Sequence, residues 1–456
     1  MARTSSLSGF TEWLPEERLV ELHLLDTLRE VFERHGFASL ESRAVETVET
    51  LLQKGEIDKE IYAISRMQDD QASARDARLA LHFDLTVPFA RYVVDNAGYL
   101  RFPFRRYQIQ KVWRGERPQD GRYREFTQAD VDIVGDGALP FRADVELAVV
   151  MATALEALRI GDFRMRINNR KLSEGFYRLL GLDDSAAVMR AIDKLEKIGP
   201  QKVTEELQTQ AGADVEQARR ALALAEIRTA GTEFLHQARA LAADLDGNSA
   251  LFEEGLSELS EVMEQMERRV PGRAQADLSI ARGLDYYTGT VYETVLIGHE
   301  DLGSICSGGR YESLASKGSR TFPGVGLSIG VTRLVSRLLA VQQLRADRSV
   351  PTVVYLALRD EESWPQAQDV AEILRARGIS AEVALTAEKL GKQIRHADRR
   401  GIPFVWFTDA SGAHEVKDIR SGEQVPADPH TWQPPTEDLA PAIIADGPAS
   451  AEPSAD

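Results

Sequence analysis

Residues 282–293 read RGLDYYTGTVYE, and this short segment combines an arginine and an aspartate with two adjacent tyrosines and two glycines. Its second half alternates threonine, valine and tyrosine, which is typical of a β-strand. Arginine stays charged and offers a planar set of donors that suits phosphate oxygens. Strand propensity alone gives no reason for a cation and two phenols where the strand begins, so the rest of the chain must supply one.

The segment YQIQKVWRGERPQDGRYREFTQADVDIVG at 107–135 carries the densest set of chemically active side chains. Alternation predicts strands at 107–114 and 125–134, joined by a polar loop as an antiparallel pair. The face of the second strand would carry an aromatic ring, an amide and two carboxylates, which is unusual for a simple core face. A solvent-facing edge strand with a charged hairpin would show the same pattern, and alternation does not choose between the two. The residues concerned are Arg117, Gly121, Arg122 and Arg124 in the loop, and Phe126, Gln128, Asp130 and Asp132 on the strand face.

A glycine-rich strand is predicted in PGVGLSIGVTRL at 323–334, followed by a helix that begins near Arg333. Glycines at 324, 326 and 330 remove side chains where another group approaches the backbone. Their spacing is GxGxxxG, and the chain has no GxxxxGK[ST] element, so dinucleotide-binding and P-loop sites find no support. An arginine beside a helix N-terminus attracts anions. Tight packing of strand on helix with a surface arginine is the alternative.

Two shorter segments also carry polar groups beside glycine or proline. SGGRYESL at 307–314 suggests a turn or a pocket floor at its two glycines, with Arg310 and Tyr311 as polar contacts. HFDLTVPFARY at 82–92 is predicted as a strand that presents Asp84 and Thr86 on one face and ends near Pro88. An aspartate that caps a turn is the alternative for the second segment.

Composition limits the class of protein. The chain has 456 residues, 43% hydrophobic and 28% charged, which is ordinary for a globular protein. It lacks an apolar run of about eighteen residues and a signal-peptide core at its start, so we expect neither a membrane span nor export. One cysteine, Cys306, excludes a disulfide within the chain and fits a cytoplasmic location. No CxxC or HExxH cluster indicates a metal site.

The chain changes character twice along its length. A helix is expected at 16–35, and leucine, alanine, glutamate, glutamine and lysine dominate 171–268, which predicts a helical insertion. Strand-like, glycine-containing sequence returns at 276–330. After a polar link, strands alternate with helices from 352 to 408, which predicts a small α/β domain with a largely parallel sheet. Residues 433–456 are rich in proline, alanine and acidic residues, and we expect a disordered tail there.

In this order, these segments resemble histidyl-tRNA synthetases, which are class II aminoacyl-tRNA synthetases. The likeness runs from about Trp13 to Gly422. RGLDYYTGTVYE and SGGRYESL look like the histidine-specific signatures, the segment at 107–135 like class II motif 2, GVGLSIGVTRL like motif 3, and LGKQIRHADRRGIPF at 390–404 like the anticodon-binding domain.

The resemblance implies an α+β fold. Its class II catalytic core, built on an antiparallel sheet, would be split into 1–170 and 269–345, with a helical insertion domain at 171–268. An anticodon-binding α/β domain would follow at 350–432.

The implied activity is histidine–tRNA ligation, with histidine and ATP as substrates and histidyl-adenylate as the intermediate. The resemblance assigns the site residue by residue. Arg282 and Arg114 would be catalytic. The histidine ligands would be Asp84, Leu85, Thr86, Gln128, Asp132, Tyr286, Tyr287, Gly308 and Gly309. The ATP ligands would be Arg114, Arg122, Phe126, Arg282 and Arg333.

The net charge of −17 argues against a nucleic-acid partner, but binding depends on local patches and not on the sum. The resemblance implies tRNA for histidine as the partner, a homodimer, and Mg²⁺ on the ATP oxygens. The implied tRNA contacts are Lys389, Lys392, Arg395, Arg399 and Arg400. A solvated basic helix face would have the same composition.

Two positions depart from the family pattern. Arg43 stands where motif 1 usually carries a proline, and Thr332 stands where motif 3 usually carries a glutamate. The first departure concerns the local backbone near an expected dimer interface. The second concerns a contact that supports Arg333.

Two other functions remain compatible with parts of the sequence. A histidyl-synthetase-like regulatory subunit of ATP phosphoribosyltransferase would share the fold, but it need not keep Arg282, the two tyrosines and both phosphate arginines. A nucleic-acid-binding module without chemistry would explain the basic helix but not the polar strand faces, and it predicts that Arg282→Ala changes nothing.

Overall fold

The structure is a computed structural model that describes residues 7–52, 60–66, 78–119, 121–245, 247, 249–283, 286–317 and 319–445. The chain divides into two compact units. Of the described residues, one unit holds those up to Thr11 and those within Leu24–Arg337, and the other holds Glu12–His23 and those from Leu338 onward. In the described part of the chain, no helix is both long enough and apolar enough to cross a membrane.

The described residues form the following helices and strands. The helices are α1 (Pro15–Arg34), α2 (Val48–Leu51), α3 (Thr86–Asn96), α4 (Arg142–Ala157), α5 (Arg170–Leu179), α6 (Ser185–Ile192), α7 (Leu195–Gln210), α8 (Val215–Ala225), α9 (Phe234–Ala242), α10 (Ala250–Arg269), α11 (Val331–Ala340), α12 (Trp364–Ala376) and α13 (Leu390–Arg399). The strands are β1 (Ala38–Ser39), β2 (Val45–Thr47), β3 (Ala63–Ile64), β4 (Leu79–Leu81), β5 (Phe104–Trp113), β6 (Glu125–Val134), β7 (Phe163–Asn169), β8 (Arg228–Thr229), β9 (Ala274–Asp277), β10 (Tyr287–Leu296), β11 (Ser304–Tyr311), β12 (Ser316–Lys317), β13 (Arg320–Thr321), β14 (Gly324–Gly330), β15 (Leu344–Ala346), β16 (Val354–Leu356), β17 (Ala381–Val383), β18 (Phe404–Thr408), β19 (His414–Asp418), β20 (Gln424–Pro426) and β21 (Ile443–Ala445).

A large sheet is the centre of the first unit. Within the described residues its nine strands follow the order β1-β5-β6-β14-β11-β10-β7-β9-β8. The pairs from β5 to β7 are antiparallel, and the outer pairs β1–β5 and β7–β9 are parallel. The α+β fold class built on an antiparallel sheet is therefore confirmed.

One face of this sheet is covered by α4, which packs against β6 and β14. The helix contributes fully buried Leu147, Met151 and Leu155, and β6 contributes Val131 and Ile133. Because side chains alternate along a strand, the residues between these apolar positions of β6 lie on the opposite face. Burial of one face by α4 thus leaves the polar face of β6 available for a site.

The segment between β7 and β9, predicted as a helical insertion, contains α5 to α10 and the short strand β8. Several of its helices begin at side-chain caps, which satisfy the free N–H groups of a first turn. Asn169 caps α5, Asp214 forms a capping box on α8, and Ser249 caps α10. α5 and α10 pack against each other, and both belong to the same compact unit as the large sheet.

The second unit carries a sheet of order β17-β16-β18-β19-β20, parallel across its first three strands and antiparallel at β18–β19 and β19–β20. The alternation of strands and helices predicted this parallel part. The tail prediction differs from the structure over residues 433–445. There a short 3-10 helix, Thr436–Asp438, is followed by β21, which pairs with β15. Asp438 explains the order, because it accepts two hydrogen bonds from Arg420. Residues 446–456 lie outside the described residues.

Candidate active site

Polar residues of three neighbouring strands lie side by side on the sheet face opposite α4. Residues directly opposite each other in an antiparallel ladder share a face, with Cβ atoms about 4.5–5.5 Å apart. The ladder therefore brings together residues that are far apart in the chain. The aligned sets are Arg106, Asp132 and Gly326, and next to them Gln108, Asp130 and Ser328.

Asp132 is held by two protein groups at the floor of this face. Arg106 is fully buried and pairs with it, Nη2 to Oδ2, at 2.8 Å. The hydroxyl of Tyr311 donates to its other oxygen, Oδ1, at 3.0 Å. The Arg106 guanidinium also lies over the Phe89 ring, 4.1 Å from its centroid. This cation explains how a carboxylate stays buried here, since a buried charge needs a partner.

Asp130 is the second buried carboxyl, two positions away on the same face. Burial raises its pKa to about 7, with the neighbouring Asp132 and Asp84 adding to the shift and Arg106 and Ser328 opposing it. Its distance to Arg106 is longer, 3.9 Å from Nη2 to Oδ2. Arg106 is therefore the cation nearest to both carboxyls, and it lies closer to Asp132 than to Asp130.

The glycines of this face make room for the side chains of the site. A Cβ atom at Gly326 would lie 2.1 Å from Oδ1 of Asp132, and one at Gly309 would lie 2.9 Å from the ring of Tyr287. One at Gly308 would lie 2.0 Å from a carbonyl oxygen of β14. At these three glycines, a side chain would collide with neighbouring protein groups. Gly308 and Gly309 also lie inside strand β11 and not in the predicted turn.

The segment HFDLTVPFARY begins a helix, and its prediction as a strand was wrong. β4 ends at Leu81, and α3 runs from Thr86, with Leu85 fully buried just before it. Asp84 is buried and accepts the backbone N–H of Val87 at 3.1 Å, so it caps the first turn. Pro88 lies in that first turn, where its missing N–H costs nothing. Asp84 and Thr86 still reach the site: Thr86 lines a cavity with Asp130, and Asp84 is close enough to raise the pKa of Asp130.

Tyr287 also lines this cavity, Tyr286 lies beside Tyr287, and Gln128 contacts Ser328, which is another lining residue. The two tyrosine rings are in contact, with centroids 4.2 Å apart. Burial raises the pKa of Tyr287 well above its ordinary value, and Tyr286 and the two aspartates add to the shift. The phenol is therefore a neutral donor over the physiological range. Gln128 donates to the hydroxyl of Ser328 at 3.0 Å, and its Oε1 is buried without a hydrogen-bond partner among the described residues.

Arg333 is close enough to three other arginines to be influenced by their charges. Arg333 donates to two backbone carbonyls, that of Gly121 at 2.7 Å and that of Ser304 at 2.6 Å. Its pKa is lowered, first by burial and then by the positive charges of the other three arginines, in the order Arg122, Arg114 and Arg282. Like charges repel, so such a group is stable only where something else holds it in place. The arginines predicted to bind phosphates are thus brought together by the fold.

Arg114 and Arg122 both lie near one carboxylate, and Arg114 also lies near an aromatic ring. Glu116 lies 3.9 Å from Nη1 of Arg114 and 3.5 Å from Nη1 of Arg122. Nε of Arg114 donates to the carbonyl of Phe83 at 3.0 Å, and the guanidinium lies 5.1 Å from the centroid of Phe126. An aromatic surface and a cation therefore lie side by side here.

Arg282 is half exposed and pairs with Glu293 on β10, Nη2 to Oε1, at 2.6 Å. Glu293 is buried, and burial raises its pKa, while Arg282 and Arg166 oppose the shift. The carboxylate orients the guanidinium and leaves part of it open. Residues Leu284 and Asp285 of the opening segment lie outside the described residues.

The two departures from the family pattern have local partners. The hydroxyl of Thr332 accepts the backbone N–H of Thr127 at 2.8 Å, which ties the start of α11 to β6. Arg43 donates to buried Glu46 at 2.8 Å, and Arg91 donates to the other oxygen of Glu46 at 2.8 Å. The Thr332 hydroxyl therefore holds the start of α11, the helix that carries Arg333, to the backbone of β6.

The basic residues predicted to contact RNA lie on and around α13. Lys392, Arg395 and Arg399 are exposed on one side of the helix, opposite buried Gln393 and Ala397. Lys389 precedes the helix and Arg400 follows it. Arg400 is partly neutralised, since it donates to Glu382 at 2.6 Å.

Sequence reasoning did not assign Arg106 or Asp130 to the site. A signal was present, because arginine and glutamine alternate with other residues in FRRYQIQKVW, and Arg106 and Gln108 are both fully buried. The pattern shows which face is polar. It does not show that this face is covered, which depends on other segments of the chain.

Comparisons with known proteins agree along nearly the whole chain. The family model described as "Histidyl-tRNA synthetase" matches residues 9–334, and that described as "Anticodon binding domain" matches residues 352–429. A protein of Micrococcus luteus named "Histidine--tRNA ligase" is 66% identical, covering 97% of this chain and 99% of the relative.

Solved structures show the same likeness. The histidyl-tRNA synthetase of Nostoc sp. PCC 7120 is 40% identical and covers 94% of this chain and 97% of its own, with a TM-score of 0.83. A Bacillus halodurans protein titled as an ATP phosphoribosyltransferase regulatory subunit/histidyl-tRNA synthetase is 22% identical, covers 84% of this chain and 93% of its own, and has a TM-score of 0.69. At that identity the second likeness shows the fold alone.

Proposed function

The chain belongs to the histidyl-tRNA synthetase family, and on that premise we propose how its own residues carry out the reaction. It is an enzyme that joins histidine to tRNA. In the first step the carboxylate of histidine attacks the α-phosphorus of ATP, forming histidyl-adenylate and releasing pyrophosphate. In the second step a hydroxyl at the 3′ end of the tRNA takes the histidyl group, and AMP leaves.

The convergence of Arg114, Arg122, Arg282 and Arg333 is the observation that carries the assignment. It concentrates positive charge in the same compact unit that holds the buried carboxyls Asp130 and Asp132. A polyanion such as ATP offsets the mutual repulsion of the arginines, and the carboxyls attract the ammonium group of an amino acid. The two substrates of adenylate formation carry these charges.

The first step needs fixed cations more than proton transfer. Two anions must approach each other, and negative charge grows on the α-phosphate as the bond to pyrophosphate breaks. Preorganised donors that meet this charge supply most of the catalysis in phosphoryl chemistry. We assign Arg282 to the α-phosphate, because it is half exposed and oriented by Glu293, and Arg114 and Arg333 to the remaining phosphates. Arg122 and Phe126 would contact the rest of the nucleotide.

Mg²⁺ would bind at this site together with ATP. Burial raises the pKa of Glu60, and the nearby carboxylate of Glu116 raises it further, which shows that two carboxyls lie together beside the arginines. Mg²⁺ prefers phosphate oxygens, water and one or two carboxylates. We propose that the ATP oxygens and Glu116 would hold the ion, and that it would neutralise charge on the leaving pyrophosphate.

Pyrophosphate exchange tests the proposed activity directly. Purified protein with ATP and Mg²⁺ is expected to incorporate labelled pyrophosphate into ATP only when L-histidine is added. If exchange were absent, or equally fast without histidine, the pocket would not be a histidine-activating site. A phosphoribosyltransferase that copurifies with the chain would favour the regulatory-subunit alternative.

The exposed basic side of α13 is proposed to contact the phosphates of tRNA. We expect the double change Lys392→Ala and Arg395→Ala to raise the KM for tRNA roughly 10-fold and to weaken its dependence on salt, because each phosphate contact releases counterions. Exchange without tRNA should be unchanged. The measurement is aminoacylation at several salt concentrations.

The matched control removes two other arginines of the same unit. Arg359 and Arg375 are 45% and 39% exposed and lie outside α13. Arg359→Ala with Arg375→Ala should leave the KM for tRNA close to its original value. If both double variants raised the KM for tRNA equally, the effect would come from net charge and not from a specific contact of α13.

We propose that the protein is a homodimer located in the cytoplasm, as is typical of the family. We also propose a catalytic core split into 1–170 and 269–345, an insertion domain at 171–268 and an anticodon-binding domain at 350–432. Light scattering after size exclusion tests the first point, since one chain has a mass of 50.6 kDa. A mass equal to that of one chain at working concentration would exclude a stable dimer.

A further inference from the structure

Glu293, the carboxylate that orients Arg282, has a second cation on its other oxygen. Nη2 of Arg282 lies 2.6 Å from Oε1 of Glu293, and Nη1 of Arg166 lies 3.7 Å from Oε2. Arg166 on β7 and Glu293 on β10 are directly opposite each other in the antiparallel ladder, so they share a face. This face is opposite α4, because the neighbouring Tyr292 donates to the carbonyl of Asp144 on α4 and successive strand residues point to opposite faces. The carboxylate that orients Arg282 is therefore itself held by Arg166.

Every nitrogen of the Arg166 guanidinium faces a carboxylate. Nε donates to Asp277 on β9 at 2.7 Å, and Nη2 donates to Oε1 of Glu196. Nη1 lies between two carboxylates, 3.7 Å from Oε2 of Glu293 and 3.5 Å from Oε2 of Glu196. Arg166 is 8% exposed, and Asp277 is fully buried. A buried guanidinium with three charged partners is held in one orientation, because its rotation would break these contacts.

Glu196 comes from a separate part of the chain, the segment between β7 and β9. It lies in the first turn of α7, and its side chain is 57% exposed. Gly199, with a φ of 79°, interrupts the helix directly after this turn, since a positive φ does not continue an α-helix. The ion pair with Arg166 therefore connects the large sheet to a short turn that is set apart from the rest of α7.

We propose that Arg166 is a positioning residue for adenylate formation, and that Glu196 links the segment between β7 and β9 to Arg282 through Arg166 and Glu293. A displacement of the first turn of α7 would move the guanidinium of Arg166, then the carboxylate of Glu293, and then the cation assigned to the α-phosphate. The proposal rests on the proposed function, because it concerns the role given there to Arg282. It deepens that function by naming residues that control the rate from outside the substrate pocket.

Positioning and simple stabilisation predict different effects for the loss of the Glu196 carboxylate. An ion pair with an exposed member adds little to stability, so the melting temperature should barely change. A shift of about 1 Å in a reacting group can lower a rate about 100-fold, even when the change is made far from the chemistry. A lower rate at unchanged stability would therefore indicate positioning.

The test is a double-mutant cycle measured by histidine-dependent pyrophosphate exchange. Arg166→Lys keeps the charge, but its single nitrogen cannot contact three carboxylates in the fixed geometry of a guanidinium. We expect kcat to fall about 30-fold, with the KM for histidine unchanged. In the Arg282→Ala protein the same change should leave kcat almost unaltered, because the group that Arg166 positions is absent. A residue that only stabilised the fold would lower kcat by the same factor in both proteins.

Glu196→Gln is the second variant, and it replaces an exposed side chain by one of nearly the same shape, so folding should be intact. We expect kcat to fall about 5-fold, again only when Arg282 is present. Arg228→Ala is the matched control. Arg228 is 42% exposed and pairs with both Glu196 and Asp277, each at 3.0 Å. The control removes a cation from the same two carboxylates and should leave kcat unchanged, because Arg166 keeps its contacts with them.

The proposal is overturned if the effects of Arg166→Lys and Arg282→Ala on kcat multiply, or if Glu196→Gln keeps the kcat of the unchanged protein. It is also overturned if Arg228→Ala lowers kcat as much as Glu196→Gln does. Should Arg166→Lys fail to fold, the cycle of Glu196→Gln with Arg282→Ala decides in the same way. These results differ from a failure of the proposed function, in which the unchanged protein itself would show no histidine-dependent exchange.

Discussion

Replacing Arg282 with alanine is expected to lower histidine-dependent pyrophosphate exchange about 1000-fold, the size of effect seen when a donor to a developing phosphoryl charge is lost. The side chain is 49% exposed and pairs with Glu293 at 2.6 Å. Glu293 keeps a second cation, since Nη1 of Arg166 lies 3.7 Å from its other oxygen. The loss should therefore fall on the rate, and the melting temperature should change little. Exchange and thermal unfolding measured on the same preparation separate the two effects.

Two control variants test whether the loss of exchange in Arg282→Ala comes from a specific contact with phosphate. Arg282→Lys keeps the charge but not the planar pair of donors, so we expect an intermediate rate. Arg228→Ala removes another partly exposed arginine, 42% exposed, that pairs with a buried carboxylate of the same sheet, Asp277, at 3.0 Å. It should leave exchange unchanged. A rate for Arg282→Ala equal to that for Arg228→Ala would contradict the role assigned to Arg282 and favour a binding module without chemistry.

Gly326→Ala is the second change with a large expected effect, because β14 has no space for a methyl group at this position. The new Cβ would lie 2.1 Å from Oδ1 of Asp132, and carbon and oxygen do not approach so closely. Asp132 must then move away from Arg106 and Tyr311, which disturbs the pocket that we propose for histidine. We expect at least about a 100-fold loss of kcat/KM for histidine, with a smaller change in the KM for ATP. Steady-state exchange kinetics measure both.

Gly98→Ala is the matched control for this change. A Cβ atom at Gly98 would meet nothing within 4 Å, and the residue does not have a positive φ. Its kinetics and melting temperature should match those of the unchanged protein. If Gly326→Ala also kept its kcat/KM for histidine, the tight contact with Asp132 would not be needed for the pocket.

Much of the secondary structure follows from local sequence. Period-two alternation predicted β5 and β6, because a strand with one covered face must alternate its side chains. Leucines at helical spacing predicted α1, and Gly36, with its φ of 78°, ends it. These patterns need no knowledge of distant residues.

The segment around Asp84 shows where local pattern fails. Alternation over a few residues is compatible with a strand, whereas a proline in the first turn and an aspartate cap are compatible with a helix. The helix forms because Asp84 satisfies the N–H of Val87 and because Leu85 and Val87 are buried. The residues after 433 are similar: their composition favours disorder, yet β21 finds a partner in β15, a strand far earlier in the chain.

The sequence by itself determined the types of chemical group and the family, because arginines, tyrosines and carboxyls at particular spacings are visible without a fold. Only the tertiary structure decided which of them act together. It brings Arg333 among Arg114, Arg122 and Arg282, and it pairs Arg106 with Asp132. The reason is physical. The register of the strand ladder sets the distances between residues that are far apart in the chain, and the covering of one sheet face sets their burial. Those distances decide which charges are neutralised within the protein and which remain for a ligand.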